Sequence, residues 1–192
     1  MRLRLKEQDK EEYRPDSQTM VLLLLMTFVL GGIIGFVYEE IFYLIDLGYL
    51  TKRGTTFGPW IPIYGFGAVL ILVATSRIRK YPAVLFGMSV LVTGLLEYFT
   101  GLVLLKVFHV RLWDYNVEIW NWLNIGGFVC LRSVLCFGVA ALAFQYLLYP
   151  LLSDFAEKCD SRKLRYIARI PFAIFVADIV VSLIVRSVNS IR

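Results

Sequence analysis

One histidine, three cysteines and 18% charged residues leave a chain of 192 residues with little material for side-chain catalysis. With His109 alone, an ordinary zinc site is short of ligands, and the residue reads as a solvated loop position. Cys130 and Cys136 share an apolar run but stand six positions apart, on different faces of a helix, while Cys159 lies among basic residues. Neither a disulfide framework nor a cysteine quartet is available, and the cysteines read as small packing residues. Three motifs are also missing. No G-x-x-x-x-G-K-[ST] occurs, so the chain has no P-loop of its own, and neither H-E-x-x-H nor G-x-S-x-G is present. No cofactor is expected, and any use of ATP calls for a separate ATP-binding subunit.

What the chain has in abundance is apolar sequence: 58% hydrophobic residues and a mean hydropathy of +0.68. That composition belongs to a membrane protein rather than a soluble domain. The net charge of +5 does not point to nucleic acid, because the basic residues fall in short blocks between long apolar runs. A bilayer core about 30 Å thick takes roughly 20 residues of helix. By that ruler five spans are predicted: Met20 to Leu47, Pro59 to Thr75, Pro82 to Leu105, Val129 to Leu152 and Ile167 to Val188. The fold class is all-α, a polytopic helical bundle. The second span is the shortest, and its opening "GPWIPIYGFG" would unwind a regular first turn, which suits a loop dipping in from one side. The first apolar stretch lacks a small-residue cleavage site and reads as a retained span.

The basic residues orient this bundle. Thirteen Lys and Arg lie before Met20, in Ser76 to Tyr81 and in Ser153 to Arg169, against six in the alternate connections. The positive-inside rule then predicts a cytoplasmic charged tail over 1–19, a single transmembrane domain over 20–192, and an outside carboxyl terminus. The aromatic stretch "LWDYNVEIWNWLN" reads as an outer interfacial belt.

Carboxylates set into apolar helix are the main functional signal. A charge at the bilayer centre costs roughly 2.5–3.5 kcal/mol and is turned toward protein, water or a partner. Glu39 follows Gly31 and Gly35 at intervals of four, so the stripe of small residues leads to it and turns it inward, while Glu40 falls toward the edge. In the third span Thr93, Glu97 and Thr100 share a face, at a depth similar to Glu39. Two readings stay open. The polar groups form a ligand or ion site, or Glu39 and Glu97 pair with Arg53, Arg111 or Arg132 as a structural network. Asp178, nearer the middle of the last span, either joins the pocket or stands apart; Arg186 is eight positions away, too far for contact within one helix. The basic segment over 153–169 reads as a solvated inner loop, with a coupling surface for a cytoplasmic partner as the sharper alternative.

The combination "RGTTFGPWIPIYGFG", "LEYFTG", "FHVRLWDYN" and "NIGGFVCL" resembles small bacterial integral membrane proteins of the CmpB type, a family of ABC-transporter permeases. Matching positions include Glu39, Arg53, Tyr64, Glu97, Thr100, Arg111, Trp113, Asp114 and Tyr115, and the resemblance covers about Gly31 to Pro150. There are departures. Where the family shows an arginine and, a turn later, a glutamate, this chain has Phe128 and Arg132, and Leu105 replaces a further glutamate. The resemblance implies a multi-pass protein of the bacterial plasma membrane.

The leading expectation is a membrane subunit of a transporter that binds a small solute or ion in an outward-facing polar pocket. Glu39 and Glu97 would supply negative charge, with Arg53 and Arg111 pairing with them in the empty site. Tyr64 and Thr100 would line it, and Trp113, Asp114 and Tyr115 would close over it. Its partners would be membrane lipid, a separate ATP-binding subunit and, in a homo-oligomer, further copies of the chain. Two alternatives remain, an intramembrane enzyme acting on a lipid, with paired carboxylates as acid and base, and a regulatory or assembly protein whose polar residues fix helix packing.

Overall fold

The computed structural model describes residues 15–190, with side chains to 186, so most of the tail expected over 1–19 lies outside the described residues. Six α-helices follow in order: α1 (Ser17–Leu47), α2 (Pro62–Thr75), α3 (Pro82–Phe108), α4 (Leu131–Ala143), α5 (Tyr149–Lys158) and α6 (Ser161–Ser190). A π turn, Phe144–Leu148, joins α4 and α5 into one rod of 28 residues. Tyr149 alone separates it from Pro150, which has no N–H to give to the turn before it.

Among the described residues four helical segments are long and apolar enough to cross a membrane: α1, α3, the α4–α5 rod and α6. α2, expected as the shortest of the five spans, is a shorter apolar helix. Its 14 residues cover about 21 Å at 1.5 Å per residue, short of the bilayer core. Its start is set by Pro62, whose fixed φ and missing N–H suit the first helical position. α2 nevertheless runs between the two ends of the bundle. Tyr64, in its first turn, bonds Glu39 near the end of α1, and Thr75, its last residue, bonds Gln145 in the π turn. One end of the bundle therefore gathers the segments 48–61 and 109–130, and the other gathers the start of α1, the α2–α3 turn and the α5–α6 junction.

Close packing along α1 depends on its glycines. A Cβ on Gly31 would lie 2.7 Å from the Ala68 Cβ, and one on Gly35 would fall inside the Tyr64 ring, so α1 and α2 meet nearly backbone to backbone. Gly32 admits Phe175 of α6, which is fully buried with Phe28 and Val29. At the opposite end Leu22, Leu23, Leu152, Ala156, Leu164 and Ala168 tie α1, α5 and α6 together. The apolar residues left exposed form outward faces, such as Val37, Ile41 and Ile45 on α1 and Leu91, Leu95 and Phe99 on α3. Those faces meet lipid.

Candidate functional site

Glu39 sits where the glycine stripe of α1 ends, against the first turn of α2. Its Oε1 accepts from the Tyr64 hydroxyl at 3.0 Å, and its Oε2 accepts from Arg53 Nε at 3.2 Å. Arg53 belongs to the extended segment after α1 and is fixed at both ends. Its backbone N–H donates to Glu40 at 2.9 Å, and its guanidinium lies 3.5 Å from the centroid of the Tyr43 ring. The same segment is anchored further along by Asp178 of α6, which accepts from the Phe57 and Gly58 amides at 3.0 and 2.8 Å and from Trp60 Nε1 at 2.7 Å. Asp178 thus stands apart from the cluster and works as an anchor.

A second pair lies deeper. Arg132, in the first turn of α4, donates from Nη2 to Glu118 Oε2 at 2.6 Å, with the two side chains 9% and 5% exposed. The Tyr43 hydroxyl donates to the other oxygen of Glu118, which links this pair to Arg53 through the Tyr43 ring. The Arg132 guanidinium is stacked on Phe42 at 3.9 Å, while its Nε and Nη1 are buried without a hydrogen-bond partner. A cation in this setting is held by its carboxylate and by ring faces.

Glu97 is the third carboxylate, 5% exposed, on α3. The Tyr115 hydroxyl donates to Oε1 at 2.5 Å, and the Ser133 hydroxyl lies 2.8 Å from Oε2. Ser133 is also 2.9 Å from the Cys130 carbonyl, and its one proton can serve only one of these acceptors at a time. Among the described residues Glu97 makes no ion pair. Buried Glu97 and Glu118 and half-buried Glu39 thus face two guanidiniums, and the carboxylate without an ion pair is Glu97; a proton or a bound cation would balance it.

Glu97 also lines a cavity of about 150 Å³ between α1, α2, α3 and α4. Tyr38, Tyr64 and Phe137 present rings to it, Gly35 and Gly67 give it room, and Thr93 and Cys136 complete the wall near Glu97. Its surface is mainly apolar, which differs from the polar pocket expected from the sequence. The reason is that most polar groups of the cluster are spent on one another.

The segment 109–130 is held by its own bonds. Arg111 Nη1 pairs with Asp114 Oδ1 at 2.6 Å, Arg111 Nη2 donates to the Gly126 carbonyl at 3.0 Å, and Trp113 Nε1 donates to the Phe128 carbonyl at 2.9 Å. Gly127, at φ +79°, packs directly on Arg111, Asp114 and Asn116, a conformation and a closeness that a side chain would not tolerate. Burial pushes the Asp114 carboxyl up, but hydrogen bonds from Asn116 and the Arg111 guanidinium hold it below the usual carboxylate range. Burial, with Glu97 adjacent, pushes the Tyr115 phenol well above its ordinary value and keeps it a donor.

Of the residues singled out from the sequence, the structure brings Glu39, Arg53 and Tyr64 into one set of contacts and Glu97 and Tyr115 into another. Arg111 pairs with Asp114 rather than with a glutamate, Trp113 braces its own loop, and half-buried Thr100 makes no hydrogen bond to the cluster. Glu118, Ser133 and Tyr43 were not anticipated. Glu118 sits between exposed Val117 and Trp120 in "NVEIWNW", where a carboxylate looks solvated, and only the return of that loop over α4 buries it.

Compared with known proteins, residues 26–183 match the profile of a family described as "Putative ABC-transporter type IV". The match takes in most of α6, which the resemblance read from the sequence had left out. None of the curated proteins and none of the solved structures compared with the chain matches it.

Proposed function

The chain belongs to this type IV ABC-transporter family, and from that premise we propose that it is the membrane subunit of a transporter in the bacterial plasma membrane, working with a separate ATP-binding subunit. The tail over 1–19 and the turns at the α2–α3 end face the cytoplasm, and the segments 48–61 and 109–130 face out. Supporting this orientation are the basic residues concentrated at one end and the exposed Trp120 and Trp122 at the other. The solute site lies in the outer half of the bundle, with Glu97 as its central acid. Tyr64 links that acid's cavity to Glu39 and Arg53, and Tyr115 closes over it from a loop held by Arg111, Trp113 and Asp114.

The observation that carries this reading is Glu97 itself, a carboxylate at a cavity wall with two hydroxyls and no guanidinium for partners. Such a group is suited to a small cationic solute with an apolar body, or to a coupling proton. The test is uptake and ligand retention by Glu39→Gln and Glu97→Gln. If both variants fold and behave as wild type, this site assignment is wrong.

A second reading is favoured by the mutual pairing of Glu39 with Arg53 and Glu118 with Arg132. On that view the cluster is a strut that sets helix packing in an assembly or regulatory protein. A charge swap separates the two: Glu39→Arg combined with Arg53→Glu restores function if the pair is a strut and fails if Glu39 serves a ligand.

A further inference from the structure

The end of the bundle away from the buried charges carries a groove of about 1180 Å³ between the start of α1, the α2–α3 turn and α5. Its floor is apolar, formed by Met20 and Leu24 of α1 and Leu72 and Val73 of α2. Its two rims carry opposite charge. Arg77 and Lys80 stand exposed on the α2–α3 turn, and Asp154 and Glu157 stand exposed on α5. Arg79 belongs to the same turn; its guanidinium lies 5.3 Å from the centroid of the Tyr149 ring and its carbonyl accepts from the Tyr146 hydroxyl, while Lys80 Nζ lies 5.1 Å from the centroid of the Tyr81 ring. Ser153 lines the groove beside Asp154. It is 8% exposed, and its hydroxyl has no hydrogen-bond partner among the described residues. A buried hydroxyl left unpaired is costly, and a head-group oxygen seated in the groove would satisfy it.

We propose that this groove binds an aminophospholipid, with the lipid phosphate at Arg77 and Lys80, the primary ammonium at Asp154 and Glu157, and an oxygen of the head group accepting the Ser153 hydroxyl. The acyl chains run over Met20, Leu24, Leu72 and Val73. Charge pairing selects the head group. Arg77, Arg79 and Lys80 stand on one rim and Asp154 and Glu157 on the other, so a head group with one group of each sign meets both rims. An anionic head group without an amine would leave the α5 carboxylates unanswered. A quaternary ammonium has no N–H to donate to them. The apolar floor selects a lipid over a free phosphate, since a soluble anion would gain nothing from it. This site is independent of the one around Glu97 and stands whichever reading of that cluster holds.

The test is native mass spectrometry of the full-length protein in detergent with equal amounts of phosphatidylethanolamine, phosphatidylglycerol and phosphatidylcholine of matched acyl chains. The wild type should retain phosphatidylethanolamine over the other two. Arg77→Gln with Lys80→Gln should lower that retention by roughly tenfold or more. Asp154→Asn with Glu157→Gln should abolish the preference over phosphatidylglycerol. All four positions are exposed, so both double variants should melt like wild type in lipid-free detergent. Equal retention of the three lipids by the wild type, a preference for phosphatidylglycerol, or a phosphatidylethanolamine preference that survives both double variants would each overturn the assignment.

Discussion

Glu118 and Glu97 are both buried, yet they are satisfied by different kinds of partner. Glu118 has a guanidinium at 2.6 Å and a tyrosine hydroxyl, and it lies outside the cavity that Glu97 lines. Glu97 has two hydroxyls and a cavity wall. Burying a charge beside its counter-ion fixes structure, because removing either member strands the other. Burying one beside neutral donors leaves its charge available to a mobile ion or a solute. The comparison separates strut from site within one cluster.

The largest effect should come from breaking the strut. Glu118→Gln leaves Arg132 without its counter-ion and should cost about 3–5 kcal/mol, read as a lowered melting temperature in detergent. Glu118→Leu with Arg132→Met should recover much of that loss, since a packed apolar pair often replaces a buried ion pair without penalty. Asp178→Ala comes next. It removes the acceptor of two backbone amides and an indole N–H, at roughly 1.5–3 kcal/mol for charged hydrogen bonds, and should speed hydrogen exchange at residues 57–60 while sparing ligand retention. Glu97→Gln should change stability by less than about 1 kcal/mol, because the amide oxygen still accepts a hydroxyl, although transport should be lost. If Glu97→Gln melts like Glu118→Gln, the distinction between the two carboxylates fails.

The smallest effect concerns pH. The Asp114 carboxyl is held below its usual value by Asn116 and Arg111, against burial, which pushes it up. A depressed carboxylate stabilises the fold fully above its unfolded value, about pH 4, and that contribution is lost as the pH falls through the lower folded value. Acid should therefore loosen 111–128 slightly in the wild type and not in Asp114→Asn, as read by hydrogen exchange. Solvent exposure of the pair keeps this effect small.

Much of this was legible in the sequence because helix period and hydropathy act locally. The spacing of Gly31, Gly35 and Glu39 turned Glu39 toward α2, where Tyr64 and Arg53 meet it, and left Glu40 at the edge, where it holds only a backbone amide. Depth counting set Glu97 near the same level. What the sequence could not convey was loop conformation. Tyr115 and Glu118 reach the cluster only because the segment 109–130 folds back on α4, through contacts among Arg111, Asp114, Asn116 and Gly127 that follow no helical period. The start of α2 was legible to within three residues, because prolines at 59 and 62 both mark where a helix is free to begin; the segment before Ile61 stays non-helical, pinned by Asp178 of a distant helix.

The measurement that bears most directly on the role of Glu97 is a comparison of the small molecules carried by wild-type and Glu97→Gln protein, each gently purified from native membranes and extracted for mass spectrometry, with melting temperatures taken in parallel. A small cationic species enriched with the wild type and absent from a Glu97→Gln protein of near-normal stability is the predicted result. Identical extracts from two folded proteins, or a Glu97→Gln protein too unstable to isolate, would contradict it and return Glu97 to the strut.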